Sequence, residues 1–281
     1  MKKTTRQSLF IIGIFLSAIF NSCSIDPVNL TPYDLTVSES LSNPIGFHDN
    51  SPSFSWKLPA HTQSSYSIVV ASSPDLLPNN ADVWESKKNQ SDQSLFVKYG
   101  GENLSSKRKV FWQVKYWDKN GEASKWSETA SFELGLLKNS DWQGKWIRIP
   151  ANELTEKDAR GSVVFRPQYF RKEINLHSKV KRARLYITAK GVYEAYINGQ
   201  KVGNDVMSPG WTPSTKSIST LTYDVTDLLK EGENTIGATV AQGWHSGRIN
   251  LRRTKKSVEH TPQLLYQLEI ENSEGTQTFV S

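Results

Sequence analysis

The run Arg184-Leu185-Tyr186-Ile187-Thr188-Ala189-Lys190-Gly191-Val192-Tyr193-Glu194-Ala195-Tyr196-Ile197-Asn198-Gly199 decides how this chain is read. Leu185, Ile187 and Ala189 fall on one face of a strand, and Arg184, Tyr186, Thr188 and Lys190 on the other. A period of two is the signature of a pleated strand with one apolar face; a helix would repeat its apolar residues every three or four positions. Tyr193, Ala195 and Ile197 continue the alternation. Asn198-Gly199 then supplies two residues that accept positive φ, which a two-residue hairpin turn requires.

Towards the C-terminus, Tyr223 to Gly232 predicts a strand end, one helical turn capped by Thr226 or Asp227, and a glycine stop. Ile236, Ala238 and Val240 return to strand alternation, as do Leu264, Tyr266, Leu268 and Ile270. Towards the N-terminus the same period runs through Phe54 and Trp56, through Tyr66, Ile68 and Val70, and through Val110, Trp112, Val114 and Tyr116. Ser, Asn, Asp, Gly and Pro clusters separate these runs as turns. No heptad and no long amphipathic helix is evident. The fold class is all-β, with one β-sandwich over 36–137 and a second over 138–281. Asp141-Trp142-Gln143-Gly144-Lys145-Trp146-Ile147, followed by a polar stretch over 152–161, reads as the connection between them.

At 281 residues, 37% hydrophobic and 22% charged, the chain is an ordinary globular protein with room for about two domains. Its start is of another kind. Lys2, Lys3 and Arg6 precede the apolar run Leu9 to Phe20, and small or polar residues follow, the order of an export signal over 1–22. The run is too short to cross a bilayer comfortably. The sole cysteine, Cys23, stands directly behind it, and the polar, Pro-bearing residues 23–35 read as a tether. Without the three leading cations, 31 Lys and Arg face 28 acidic residues, so the basic balance nearly disappears and no nucleic-acid partner is expected. Arg252, Arg253, Lys255 and Lys256 read as one solvated loop.

Four motifs in fixed order carry a family resemblance: Gly191 to Gly203 (GVYEAYINGQKVG), Ser208-Pro209-Gly210-Trp211-Thr212, Tyr223-Asp224-Val225-Thr226, and Ala241-Gln242-Gly243-Trp244-His245. Together they resemble the N-terminal sugar-binding-like jelly roll of bacterial α-L-rhamnosidases. Upstream, Trp84-Glu85-Ser86, Val110 to Asp118, Lys125-Trp126-Ser127 and Phe132 to Leu137 are similar to that family's preceding module and to a fibronectin type III sandwich. Cys23 resembles the lipid-acceptor cysteine of bacterial lipoproteins, which implies an exported, outer-membrane, cell-surface or periplasmic protein held at the membrane through a lipid.

In the family, inverting hydrolysis of rhamnose-containing glycans belongs to a later α-helical barrel, where one carboxylic acid protonates the leaving oxygen and a second carboxylate activates water. The resemblance therefore implies that catalysis lies outside this sequence, that the jelly roll is cut short at its C-terminal end, and that the barrel is its partner in cis. The family's Cys-Pro-Gln-Arg-like run is not matched, because Pro262-Gln263 is followed by Leu264. A sandwich short of strands is expected to leave an unpaired edge and an open apolar face.

Trp211, Trp244, His245, Gln242 and Arg248 are the candidates for sugar binding or barrel docking. An indole face accepts sugar C–H groups while planar polar groups take the hydroxyls. Glu194, Asp205, Asp224 and Asp227 offer carboxylates, but Asp224 and Asp227 read better as turn and cap residues. The five histidines, His48, His61, His177, His245 and His260, show no metal-ligand spacing, so neither metal nor cofactor is implied. No nucleophile elbow or phosphate-cradling glycine motif is present. A surface glycan-binding lipoprotein and the front of a related polysaccharide lyase are the competing readings.

Overall fold

The computed structural model describes residues 31–59, 62–159, 161, 163–213, 216–246 and 261–281. Cys23, the export segment 1–22, Arg248 and the loop cations Arg252, Arg253, Lys255 and Lys256 lie outside the described residues.

The first sandwich holds β1 (Tyr33–Val37), β2 (Ile45–Phe47), β3 (Ser53–Lys57), β4 (Gln63–Ala71), β5 (Trp84–Glu85), β6 (Asn89–Gln90), β7 (Val97–Lys98), β8 (Lys109–Asp118) and β9 (Ala130–Leu134). One sheet runs β1-β3-β7 and the other β2-β9-β8-β4-β5, with β6 also paired to β4. β1 begins at Tyr33, inside the stretch that the sequence reads as tether. Val110, Trp112, Val114 and Tyr116 all turn inward from β8, as their spacing requires. Val110, Trp112 and Val114 meet Phe54, Trp56, Ile68 and Phe132 in a fully buried core, where the Phe54 and Trp112 rings lie 4.5 Å apart. Burying the Trp56 indole strands its N–H unless an acceptor is supplied. Gln63 Oε1 accepts it at 3.1 Å, and Gln63 Nε2 donates to the carbonyls of Ser91 and Gln93.

The second sandwich holds a short hairpin of β10 (Thr155–Lys157) and β11 (Val163–Phe165), then β12 (Gln168–Leu176), β13 (Arg182–Lys190), β14 (Val192–Ile197), β15 (Gln200–Lys201), β16 (Leu221–Asp224), β17 (Gly232–Ala241), β18 (Gln263–Asn272) and β19 (Gly275–Val280). Its two sheets run β12-β17-β14-β15 and β16-β13-β18-β19, antiparallel throughout. The Asn198-Gly199 turn closes the β14–β15 hairpin with Ile197 opposite Gln200, both turn residues at positive φ. The turn at Thr226–Leu228 is a single 3₁₀ turn, and its cap differs from the expected one. Asp224 Oδ1 accepts from the Thr226 N–H and hydroxyl, so the capping carboxylate sits two residues before Thr226, and Gly232 opens β17 instead of ending a helix.

β12 and β19 each have one neighbour among the described strands. Between them Ile147, Phe170, Leu185, Ile236, Leu264 and Val280 line an apolar cavity of about 250 Å³, bridged where Lys172 Nζ donates to the Val280 carbonyl at 2.9 Å.

The polar face of β13 is as buried as its apolar face. The first sandwich covers its start, at Arg182 and Arg184. Glu133, the one acidic residue of β9, takes a bidentate pair of hydrogen bonds from Arg184 Nε and Nη2 at 2.8 and 2.9 Å and a third from Arg182 Nη2 at 2.6 Å. Arg184 also pairs with Asp224 at 2.8 Å, Arg182 with Glu271, and Lys107 with Glu269 at 2.6 Å. The backbones come close beside this cluster: a Cβ on Gly46, at φ +78°, would stand 2.5 Å from the Thr222 side chain, so only glycine fits.

Buried phenols report on the same packing. Burial pushes the Tyr266 hydroxyl up to about 12, and those of Tyr186 and Tyr193 higher still. Because the folded value lies above the unfolded one of about 10, this contribution to stability is complete below that pH and is lost as pH rises above it. In an alkaline titration, phenolate absorbance from these tyrosines is expected to appear with the loss of the circular dichroism signal. Full ionisation ahead of unfolding would contradict it.

Candidate functional site

Three of the candidate residues meet at one end of the second sandwich. Trp211 follows Pro209 and Gly210 on the loop between β15 and β16, which is pinned to β14 where the Tyr193 N–H donates to the Ser208 carbonyl at 2.8 Å. Gly210 takes φ +89°, which swings the chain so that Trp211 faces outward, 63% exposed. Trp244 sits on the helical turn Gly243–Ser246 that ends β17. Gly243 is required there, since a Cβ would lie 2.7 Å from Val192 Cγ1.

The two indoles stack with centroids 6.5 Å apart and planes 24° from parallel. With His245, Lys190, Pro209 and Thr212 they line a narrow cleft. Gln242 is half-buried at the end of β17 and does not line that cleft. The site thus presents a broad apolar plate with a cation, an imidazole and a hydroxyl at its margin, a set that suits C–H contact plus hydrogen bonding at a sugar or at another protein surface.

The candidate carboxylates do not converge on it. Glu194 takes hydrogen bonds from Tyr196 and Lys201 at 2.7 and 2.9 Å, which hold its carboxyl below the ordinary range. Asp205 accepts from the Tyr223 hydroxyl at 3.0 Å. For Asp224 partial burial pushes the carboxyl up, but hydrogen bonds from Thr226 and the neighbouring Arg184 more than offset this and leave it lowered. Each of these three is spent on local structure. No group of three His, Cys, Asp or Glu able to hold a metal lies among the described residues.

Two residues that the sequence places in a connection belong to a surface of their own. Trp142 and Trp146 stand on an extended segment beside β18, where Ile147 pairs with Leu264. With Thr188, Lys216, Thr220 and Leu265 they line an open groove of about 500 Å³. Two indoles, each two residues from Gly144 in an extended run, were the available signal.

Two abutting β-sandwiches with stacked indoles at a loop end define the class, an all-β protein of two domains. The comparisons identify the domains. Residues 178–281 match the model of the alpha-L-rhamnosidase N-terminal domain, and residues 32–138 that of the Rha78A-like N-terminal immunoglobulin domain. An alpha-L-rhamnosidase of Formosa agariphila is 47% identical over 99% of this chain and 31% of its own length. The alpha-L-rhamnosidase structure from Dictyoglumus thermophilum superposes with a TM-score of 0.78 at 32% identity, over 89% of this chain and 28% of that one. That of Streptomyces avermitilis, complexed with L-rhamnose, gives 0.81 at 25% identity over 90% and 40%. The chain carries the two N-terminal domains of α-L-rhamnosidases and spans about a third of the length of the curated relatives it matches.

Proposed function

We propose that these two sandwiches are the non-catalytic front of an α-L-rhamnosidase that releases terminal α-L-rhamnose from glycans. The observation that carries this reading is that both domains match the family at high identity while covering only 31% of the Formosa agariphila relative. The acid and base of the reaction belong to a helical barrel joined in cis. The Glu133–Arg184 joint makes the two domains one stiff support. The exposed Trp211–Trp244 face is where that support meets the barrel or adds a sugar contact at its rim. Residues 1–22 act as an export signal and Cys23 as the lipid acceptor, which places the enzyme on a membrane facing the periplasm or the exterior, held off by the tether.

The test is hydrolysis of a chromogenic α-L-rhamnoside by this chain and by the longest product of its locus, side by side. Activity is expected in the longer product alone. Turnover by the 281-residue chain would overturn the assignment of catalysis to a barrel, and silence in both would favour a surface glycan-binding lipoprotein or a related polysaccharide lyase. Trp211→Ala is expected to leave the melting temperature of this chain nearly unchanged, since the side chain is exposed, and to lower the activity of the longer product; an unaltered activity would remove Trp211 from the rim.

A further inference from the structure

We infer that the groove on the outer face of the second sandwich is a binding site for a glycan bearing acidic sugars, adjacent to the Trp211–Trp244 cleft, with which it shares Ile218. Its floor is the cross-strand pair Thr188 and Leu265 on β13 and β18. One wall is Trp142 and Trp146. Residues two apart in an extended run point the same way, so both indoles and the intervening Gly144 share one face. That segment is fixed by hydrogen bonds from the Gln143 N–H to Gln267 Oε1 at 2.7 Å and from the Lys145 N–H to the Ser281 carbonyl at 3.0 Å. A Cβ on Gly144 would lie 2.7 Å from the Tyr266 carbonyl oxygen, so the segment hugs β18 only because this residue is glycine. The opposite wall is the stretch from Lys216 to Thr220, tied to the floor where the Thr188 hydroxyl donates to the Ser219 carbonyl at 2.6 Å.

A concave volume of about 500 Å³ lies in the range of small-ligand sites. Two indole faces opposite a hydroxyl-bearing wall are what a sugar ring needs on its apolar and polar sides. The charge selects among sugars. None of the lining residues is acidic, and Asp141 beside the groove is turned away to accept from Ser106 and from the Lys138 N–H. Lys216 is exposed on the wall, and Lys190, a residue of the neighbouring cleft, holds its Nζ 4.8 Å from the Trp146 ring centroid. Among the described residues neither ammonium is paired with a carboxylate. An ammonium on a flexible stem is a point charge suited to a carboxylate on a sugar.

The inference does not rest on the rhamnosidase reading, because it concerns binding by this chain. Oligogalacturonate and a neutral maltooligosaccharide are titrated into the 281-residue chain, with tryptophan fluorescence and calorimetry as readouts. Saturable binding of oligogalacturonate is expected, weakened at high salt, with the neutral sugar bound roughly tenfold or more weakly. Lys216→Glu, an exposed change that spares the fold, and Trp146→Ala are each expected to lower affinity roughly tenfold, while Trp211→Ala leaves it within about twofold. No saturable binding, equal affinity for the neutral sugar, or undiminished binding by Lys216→Glu would overturn the assignment.

Discussion

Glu133→Ala is expected to destabilise the chain by about 3 to 5 kcal/mol, the largest effect of any single change at the joint between the sandwiches. The Glu133 side chain is 1% exposed and that of Arg184 5%. Removing the carboxylate leaves a buried guanidinium with the desolvation cost of its charge and without its bidentate acceptor. Asp224 still faces Arg184, and Glu271 still faces Arg182, but both of these acids are about half exposed and screened by water. The expected reading is a fall in melting temperature on the order of 10 °C. It is also a split of one thermal transition into two, since the ion pair is what couples β9 to β13. The paired change Glu133→Leu with Arg184→Met is expected to recover much of the loss, because removing both charges removes the desolvation term together with the attraction. A Glu133→Ala chain that melts as one unit at the original temperature would show that the joint is held without Glu133, by the Gly46–Thr222 approach and the Lys107–Glu269 pair.

This joint also marks what the sequence could and could not disclose. Alternation along β8 and β13, and Asn198-Gly199 between two strands, are local signals, and they placed the strands and the hairpin turn correctly. Arg184 reads as an outward-facing polar residue of a half-buried strand, and nothing in the sequence assigns a partner to it or to Glu133. Their burial is made by contact between residues some fifty positions apart, which no periodicity encodes. Trp142 and Trp146 were hidden for a related reason. They sit in a segment with the composition of a linker, and they become a wall only because Ile147 pairs with Leu264, a contact more than a hundred residues long in sequence. The Trp211–Trp244 stack was reachable, since both indoles follow glycine in the motifs that carry the family resemblance. Gln242 was not separable from them by sequence, because it depends on where β17 ends and its side chain turns.

Trp112→Ala carries the second large effect, and its outcome decides whether the two sandwiches share one stability or two. Trp112 is fully buried at the centre of the first core, between Phe54 and the β4 and β9 side chains. Truncating it removes one of the two fully buried indoles of that core and leaves a void that the paired strands around it cannot collapse to fill. The expected cost is about 4 kcal/mol, a large part of the 5 to 15 kcal/mol that holds a typical domain. Leu185→Ala, in the second core, is expected to cost nearer 2 kcal/mol, because Leu185 already borders the open apolar cavity and gives up fewer contacts. Urea unfolding followed by circular dichroism separates these cases. If the Glu133 cluster transmits stability, loss of Trp112 lowers the midpoint of the whole chain; if the domains are independent, only the first transition moves, and the alkaline phenolate step from Tyr186, Tyr193 and Tyr266 stays where it was.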